Sequence, residues 1–190
     1  MSRPDPITDR GVVLNVRLRG EDDLLCHLFT ERSGRLWGIA RHARKSRRRF
    51  GTVLSPLNIL DLLYEEKGGS PFVFLREASI AIPLKNLAET LERLGTAFYL
   101  VEALARMTPE RGPEPGKFKL LEEALRALDD GKEGRRVRDL FERRLLHLAG
   151  LKPHLESCLR CGTLRENCLF VFEEGGVYCD SCLPPARRGV

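Results

Sequence analysis

VVLNVRLRGEDDLLCHLFTERSGRLWGIA, residues 12–40, carries three strand patterns joined by two turns, and it decides the first half of the fold. Val12, Leu14, Val16 and Leu18 alternate with Val13, Asn15, Arg17 and Arg19, the period of a strand with one apolar and one mixed face. Gly20, Glu21, Asp22 and Asp23 make a polar turn before the apolar run Leu24 to Phe29. Glu31 to Arg35 is a second hairpin-like turn, and Leu36 to Ala40 a third strand. Two further strand-like runs, Leu57 to Tyr64 and Phe72 to Leu75, flank the polar stretch Glu65 to Ser70. Five short strands in this span fit a small closed barrel, which leaves no unpaired edge. An SH3-like barrel or an incomplete sandwich would give the same periodicity.

After Pro83 the period changes. Leu84, Leu87, Leu91, Leu94, Phe98, Val101 and Ala105 recur at three- and four-residue steps, one face of a long amphipathic helix. That spacing predicts burial of Leu87, Leu91, Leu94, Phe98 and Val101. Thr108-Pro109 stops the helix, and Gly112 to Gly116 is a loop. Phe118, Leu121, Leu125 and Leu128 mark a second helix, ended by Asp129-Asp130-Gly131. Val137, Leu140, Phe141, Leu145 and Leu148 mark a third, with Gly150 as its C-terminal cap. The expected class is α+β, with a barrel domain over residues 1–80 and a mainly helical domain over 84–190. No long linker separates them and no repeat is visible.

The chain of 190 residues is 42% hydrophobic and 31% charged, the balance of a folded protein. No apolar run approaches the roughly 20 residues that span a bilayer. Met1 to Arg10 is polar and lacks the apolar core of a signal peptide, so a cytoplasmic location is the expectation. The net charge of +5 is concentrated: Arg41, Arg44, Lys45, Arg47, Arg48 and Arg49 supply +6, leaving −1 for the remainder. Like charges crowded on one short segment repel one another unless a polyanion neutralises them, which points to nucleic acid. Arg35, in the preceding turn, is a weaker candidate for the same surface. Trp37 and Phe50 bracket the segment; they would either stack on unpaired bases or, the better expectation, fill the core.

Five of the six cysteines fall in the last 33 residues. Cys158-Leu-Arg-Cys161 and Cys179-Asp-Ser-Cys182 are two C-x2-C knuckles separated by 17 residues. Each pair suits one side of a tetrahedral metal, and four thiolates close the shell, leaving no position for a catalytic water. A structural zinc ion, one per chain, is therefore expected in a finger over about residues 154–184. Phe170, Phe172, Gly175-Gly176 and Tyr178 suggest a hairpin that returns the second knuckle to the first. His154 is a spare ligand. Cys168 and Cys26 are expected as small buried hydrophobes. His27, His42, His147 and His154 are scattered, no triad or phosphate-binding motif occurs, and no catalytic residue is assigned.

Taken in combination, several stretches resemble one family. GVVLNVR at 11–17, GEDDL at 20–24, LFTERSG at 28–34, RHARKSRRRFG at 41–51 and LSPLNILDL at 54–62 are similar to the N-terminal half of the bacterial RecO family. FERRLLHLAGLKP at 141–153, running into the first knuckle, is similar to its C-terminal half. The resemblance implies an OB fold followed by a helical domain with an inserted zinc finger. It also implies a non-enzymatic recombination mediator, nucleoid-associated, that binds single- and double-stranded DNA and anneals complementary strands. With RecR it would replace single-strand-binding protein by RecA. The family pattern further implies helix beyond the second knuckle, where this chain has Pro184 to Val190. Competing readings are a zinc-ribbon adaptor for protein partners and an RNA-binding OB protein.

Overall fold

The computed structural model describes residues 5–46, 49–50, 52–163 and 167–183. Five strands come first: β1 (Ile7–Arg19), β2 (Asp23–Thr30), β3 (Gly34–Ala40), β4 (Ile59–Glu66) and β5 (Phe72–Ile82). They close in the order β1-β2-β3-β5-β4, with β4 returning to β1. All neighbours are antiparallel except β3 and β5, which run parallel. This is the OB-like barrel, and its closure leaves no free edge. β5 continues seven residues past the expected end at Leu75, because Ala78 to Ile82 pair with Ile59 to Leu62 of β4.

The core contains Val13, Cys26, Leu28, Leu36, Leu60, Leu62, Tyr64, Val73 and Leu75. Ala43, Phe50 and Leu54, from the connection between β3 and β4, join it. β1 departs from the simple alternation expected of it. Its register shifts between Val13 and Asn15, where Leu14 is the extra residue of a bulge. Val13 faces the core before the bulge and Val16 packs against the core after it, while Asn15, Arg17 and Arg19 are exposed. Val12, Val13 and Leu14 are all buried.

Three helices follow: α1 (Leu91–Arg106), α2 (Pro115–Asp129) and α3 (Gly134–Leu148). The first begins later than its apolar spacing suggests. Thr90 caps it, its side chain accepting from the Arg93 N–H at 3.2 Å. The preceding residues instead fold against the end of α2, where the Asn86 N–H donates to Asp129 at 2.7 Å. The expected apolar face of α1 is also corrected. Its buried residues are Ala97, Leu100, Val101 and Leu104, whereas Phe98 is 44% exposed and Leu91 84%. Two apolar stripes overlap on this helix. Small Ala97 lets neighbouring elements approach, which places the stripe through Leu100 and Leu104 inward and turns Phe98 about 100° from Ala97. Leu87 is buried, but outside the helix.

The chain forms two compact units, Met1–Glu142 and Arg143–Val190. In the first, α2 covers the barrel, Phe118 meeting Phe29 with ring centroids 5.9 Å apart. The connection from α1 to α2 crosses the start of β3, where the Arg111 N–H donates to the Arg35 carbonyl at 2.8 Å. Buried Lys117 of α2 donates to the Met107 carbonyl at 3.2 Å and pairs with Glu114 at 3.0 Å, so its charge is matched. In the second unit, Cys168–Val171 (β6) and Gly176–Cys179 (β7) form a two-stranded hairpin. Among the described residues, no helix is long and apolar enough to cross a membrane.

Gly34 has φ +70°, and a Cβ there would lie 1.9 Å from the Gly112 carbonyl oxygen. Gly34→Ala combines left-handed strain with a backbone clash, and it should cost on the order of 3 kcal/mol. Thermal unfolding should show this as a Tm lower by roughly 6–12 °C. By contrast Phe98→Ala should cost about 1 kcal/mol, not the 3–5 kcal/mol of a buried ring such as Phe118. Denaturant midpoints of the two alanine variants, side by side, check that ordering.

Candidate nucleic-acid interface and metal centre

The basic segment begins where β3 ends, and it is built onto its surroundings. Its backbone reaches the turn between β1 and β2: the His42 N–H donates to the Asp23 carboxylate at 2.8 Å and the Arg44 N–H to the Asp22 carbonyl at 3.2 Å. The acids of that turn thus hold the basic loop. Arg41, Arg44 and Lys45 are exposed. Lys45 pairs with Asp22 at 2.7 Å, and Arg44 donates to the Glu21 carbonyl at 2.8 Å. Exposed pairs of this kind contribute ~0–1 kcal/mol and yield readily to a phosphate. Arg49 is half-buried, donating to Ser46 Oγ at 3.1 Å and to the Arg41 carbonyl at 2.9 Å. It therefore also shapes the loop. Arg47 and Arg48 lie outside the described residues. Arg35 is half-buried at the opposite end of β3, beside Glu110 and Arg111, so the fold does not bring it to the loop.

Phe50 is buried, as expected. Trp37 is not, because it sits on the outer face of β3 and is only half-buried. Strand register aligns it with His27 of β2 and Phe72 of β5, and aligns Ile39 with Phe74 in the next row. The His27 and Trp37 rings stack at 4.3 Å, with 10° between their planes. Burial pushes the His27 imidazole down to about 4, assisted by Arg35 and Arg17 against Glu110, so it is neutral at physiological pH. Cations sit over these rings. Arg17 lies 5.8 Å from the Trp37 centroid, Arg19 5.1 Å from Phe72, Arg41 4.8 Å and Lys67 4.7 Å from Phe74. Exposed contacts of this type are worth ~0.5–1 kcal/mol each. Sequence reasoning placed cations on the loop and at Arg35, and missed Arg17, Arg19, Lys67, Phe72 and Phe74. The available signal was the polar alternate positions of β1, which the bulge turns outward.

The four knuckle cysteines converge in the second unit. Their sulfur atoms all lie within 4.8 Å of one another, with Cys161 and Cys179 at 3.8 Å. Metal–sulfur bonds of about 2.3 Å in a tetrahedron place sulfurs roughly 3.8 Å apart, so the donor set fits one ion. The first knuckle turns on hydrogen bonds from the Gly162 N–H to the Cys158 carbonyl at 2.8 Å and from the Cys158 N–H to the Thr163 carbonyl at 3.1 Å. The second closes similarly, Cys182 N–H to Cys179 carbonyl at 2.9 Å. Leu159 packs so tightly on Gly176 that a Cβ there would lie 2.7 Å from it, which brings the knuckle onto β7.

Burial alone would raise the Cys158 thiol, but backbone N–H groups of Cys161, Cys179 and Arg160 bring it down to about 6. Cys182, against Cys179 and the other sulfurs, is pushed up to about 12. Four converged sulfurs cannot all ionise without a cation between them. This is a metal-binding cluster. Cys168 faces Cys179 across the hairpin but stands outside the cluster, half-buried where full burial was expected. Cys26 is buried in the barrel. His154 is not a member either; its Nε2 contacts Ser157 Oγ at 2.8 Å.

Comparison with known proteins covers both halves of the chain. Residues 1–83 match the family model "Recombination protein O N terminal" and residues 88–190 match "Recombination protein O C terminal". A DNA repair protein RecO of Syntrophobacter fumaroxidans is 40% identical over 80% of this chain and 60% of its own length. Those of Anaeromyxobacter sp. strain K and Pelobacter propionicus are 34% and 35% identical, over 97% and 94% of this chain. The chain spans 73% and 72% of those two relatives.

Protein purified without chelators should contain one metal ion per chain by elemental analysis. Replacing Cys158 and Cys161 by Ser should abolish that content and speed proteolysis in residues 154–183, while barrel unfolding changes little. Full metal content in the double variant would reject the four-cysteine assignment.

Proposed function

The chain belongs to the RecO family of DNA repair and recombination proteins, and from that premise we propose that it is a recombination mediator that binds DNA through the barrel and catalyses no reaction. It binds single- and double-stranded DNA, anneals complementary strands, and with RecR assists the exchange of single-strand-binding protein for RecA. The observation that carries this is the field of cations on one side of the barrel. Arg41, Arg44 and Lys45 extend from the loop, next to Arg17, Arg19 and Lys67 on the adjoining face. Arg47, Arg48 and Arg49 complete the loop's charge, and Arg35 serves the neighbouring surface at most. Residues 1–80 are then the DNA-binding domain, and residues 84–190 the helical domain that carries the finger.

The ion in the finger is Zn2+. Four thiolates at tetrahedral spacing suit a soft, redox-inert dication, and a closed sulfur shell supports local structure without activating water. The protein works in the cytoplasm, associated with the nucleoid. The clustered cations, which suit a polyanion, support this reading.

Phosphate contacts dominate such binding, so sequence preference should be small. If Arg41, Arg44, Lys45, Arg47, Arg48 and Arg49 all neutralise phosphates of a single strand, log affinity against log salt falls with a slope of roughly −4. Replacing Arg47, Arg48 and Arg49 by Ala should flatten the slope by about two and weaken all sequences alike. Titrating labelled oligonucleotides at several salt concentrations measures both. An annealing assay of complementary strands, with and without RecR, tests the mediator role. A tighter grip on structured RNA than on single-stranded DNA would favour the RNA-binding alternative.

A further inference from the structure

Four cysteines form the metal cluster, and a fifth stands against it. Cys168 on β6 is the register partner of Cys179 on β7. Directly opposed residues of an antiparallel pair share one face of the sheet, with Cα atoms about 4.5–5.5 Å apart. A disulfide needs a Cα separation of about 4.4–6.8 Å, and this pairing meets it. The Cys179 sulfur belongs to the cluster, so Cys168 leaves the hairpin on the side of the metal centre while standing outside its shell. The other flank of β7 is taken. There the Val177 N–H donates to the His154 carbonyl at 3.1 Å and the Leu159 N–H to the Val177 carbonyl at 2.9 Å. Among the described residues β6 is therefore the outer strand of the finger, and solvent reaches half-buried Cys168 where Cys179 is buried.

Resting on the four-cysteine metal centre described above, we propose that Cys168 and Cys179 are a redox pair: a hydroperoxide converts the finger from a metal-held form to one closed by a Cys168–Cys179 disulfide. Cys168 is the sulfur that solvent reaches without a metal on it, so it is oxidised first. Its thiol attacks the peroxide, the O–O bond breaks, and sulfenic acid and water form. Cys179, as a metal ligand, is already a thiolate and needs no base to act as a nucleophile. Its sulfur attacks the Cys168 sulfur, the S–S bond forms and the S–O bond breaks, releasing hydroxide. Two electrons pass from the two sulfurs to one peroxide. The shell is then reduced to Cys158, Cys161 and Cys182, which hold an ion more weakly, and the metal is released. A finger stripped of its metal would otherwise open. Here the new bond ties β6 to β7, and a thiol reductant restores both cysteines for reloading.

The test uses the full chain purified with its metal, as wild type and as Cys168→Ser, each treated with hydrogen peroxide. A chromogenic chelator follows metal release, and peptide mapping without reductant, after the remaining thiols are alkylated, identifies the cross-links. Wild type should form the Cys168–Cys179 cross-link in step with metal release, and dithiothreitol with added Zn2+ should reverse both. Untreated Cys168→Ser should carry the same metal content as wild type, because the residue is not a ligand. Under peroxide the variant should release its metal about threefold more slowly or less, since its remaining sulfurs are metal-bound. Cross-links confined to Cys158, Cys161, Cys179 and Cys182, or equal release rates in the two proteins, would overturn the redox pair. Loss of metal from untreated Cys168→Ser would overturn it too, by making Cys168 a ligand. Absence of metal from untreated wild type would instead reject the metal centre on which the pair rests.

Discussion

One extra residue in β1 determines which way the barrel's arginines point. Side chains on a strand alternate, so a strand that faces inward at Val13 would also face inward at Asn15, Arg17 and Arg19. Two guanidinium groups in an apolar interior would cost far more than the barrel has to spare. The bulge at Leu14 resets the parity, sending Val16 inward and both arginines out. The same residue lets a 13-residue strand bend far enough to pair with β2 along one stretch and β4 along another. Closure and surface charge thus share one cause.

The bulge also marks the limit of what the amino-acid order discloses. Strand existence was legible, because alternation and Gly-bearing turns are local signals. The four-cysteine cluster was legible for the same reason: a C-x2-C knuckle is complete within a few residues, and the hairpin needed only Gly175-Gly176 to return. The ring-bearing face was not. Trp37 meets Phe72 only through the parallel pairing of β3 and β5, which no local pattern announces. On α1, Leu91, Leu94 and Phe98 offered one apolar stripe and Ala97, Leu100, Val101 and Leu104 another; which one packs depends on α2, and that is a tertiary fact.

Acids shape the basic loop as much as its own cations do. Asp22 and Asp23 accept from its backbone and side chains, so the turn between β1 and β2 works as a clamp rather than as an idle solvated bend. The local pairing offsets part of the self-repulsion that six like charges would otherwise bring to nine residues, 41–49. It also holds the segment beside the turn between β1 and β2, where β3 ends.

The contact of Gly34 with Gly112 has a consequence for how the chain acquires its shape. These residues are far apart in sequence, and β3 reaches its final form only where the connection between α1 and α2 lies across it. Phe29 likewise finds its ring partner in Phe118. The barrel and the first helices therefore share one packed unit. Cutting the chain after residue 83, where one family region stops, would remove Phe118 from Phe29 and bare apolar surface on the barrel. During synthesis the five strands are complete in sequence before α2 emerges, so the docking of that helix on the sheet is a contact the chain can make only late.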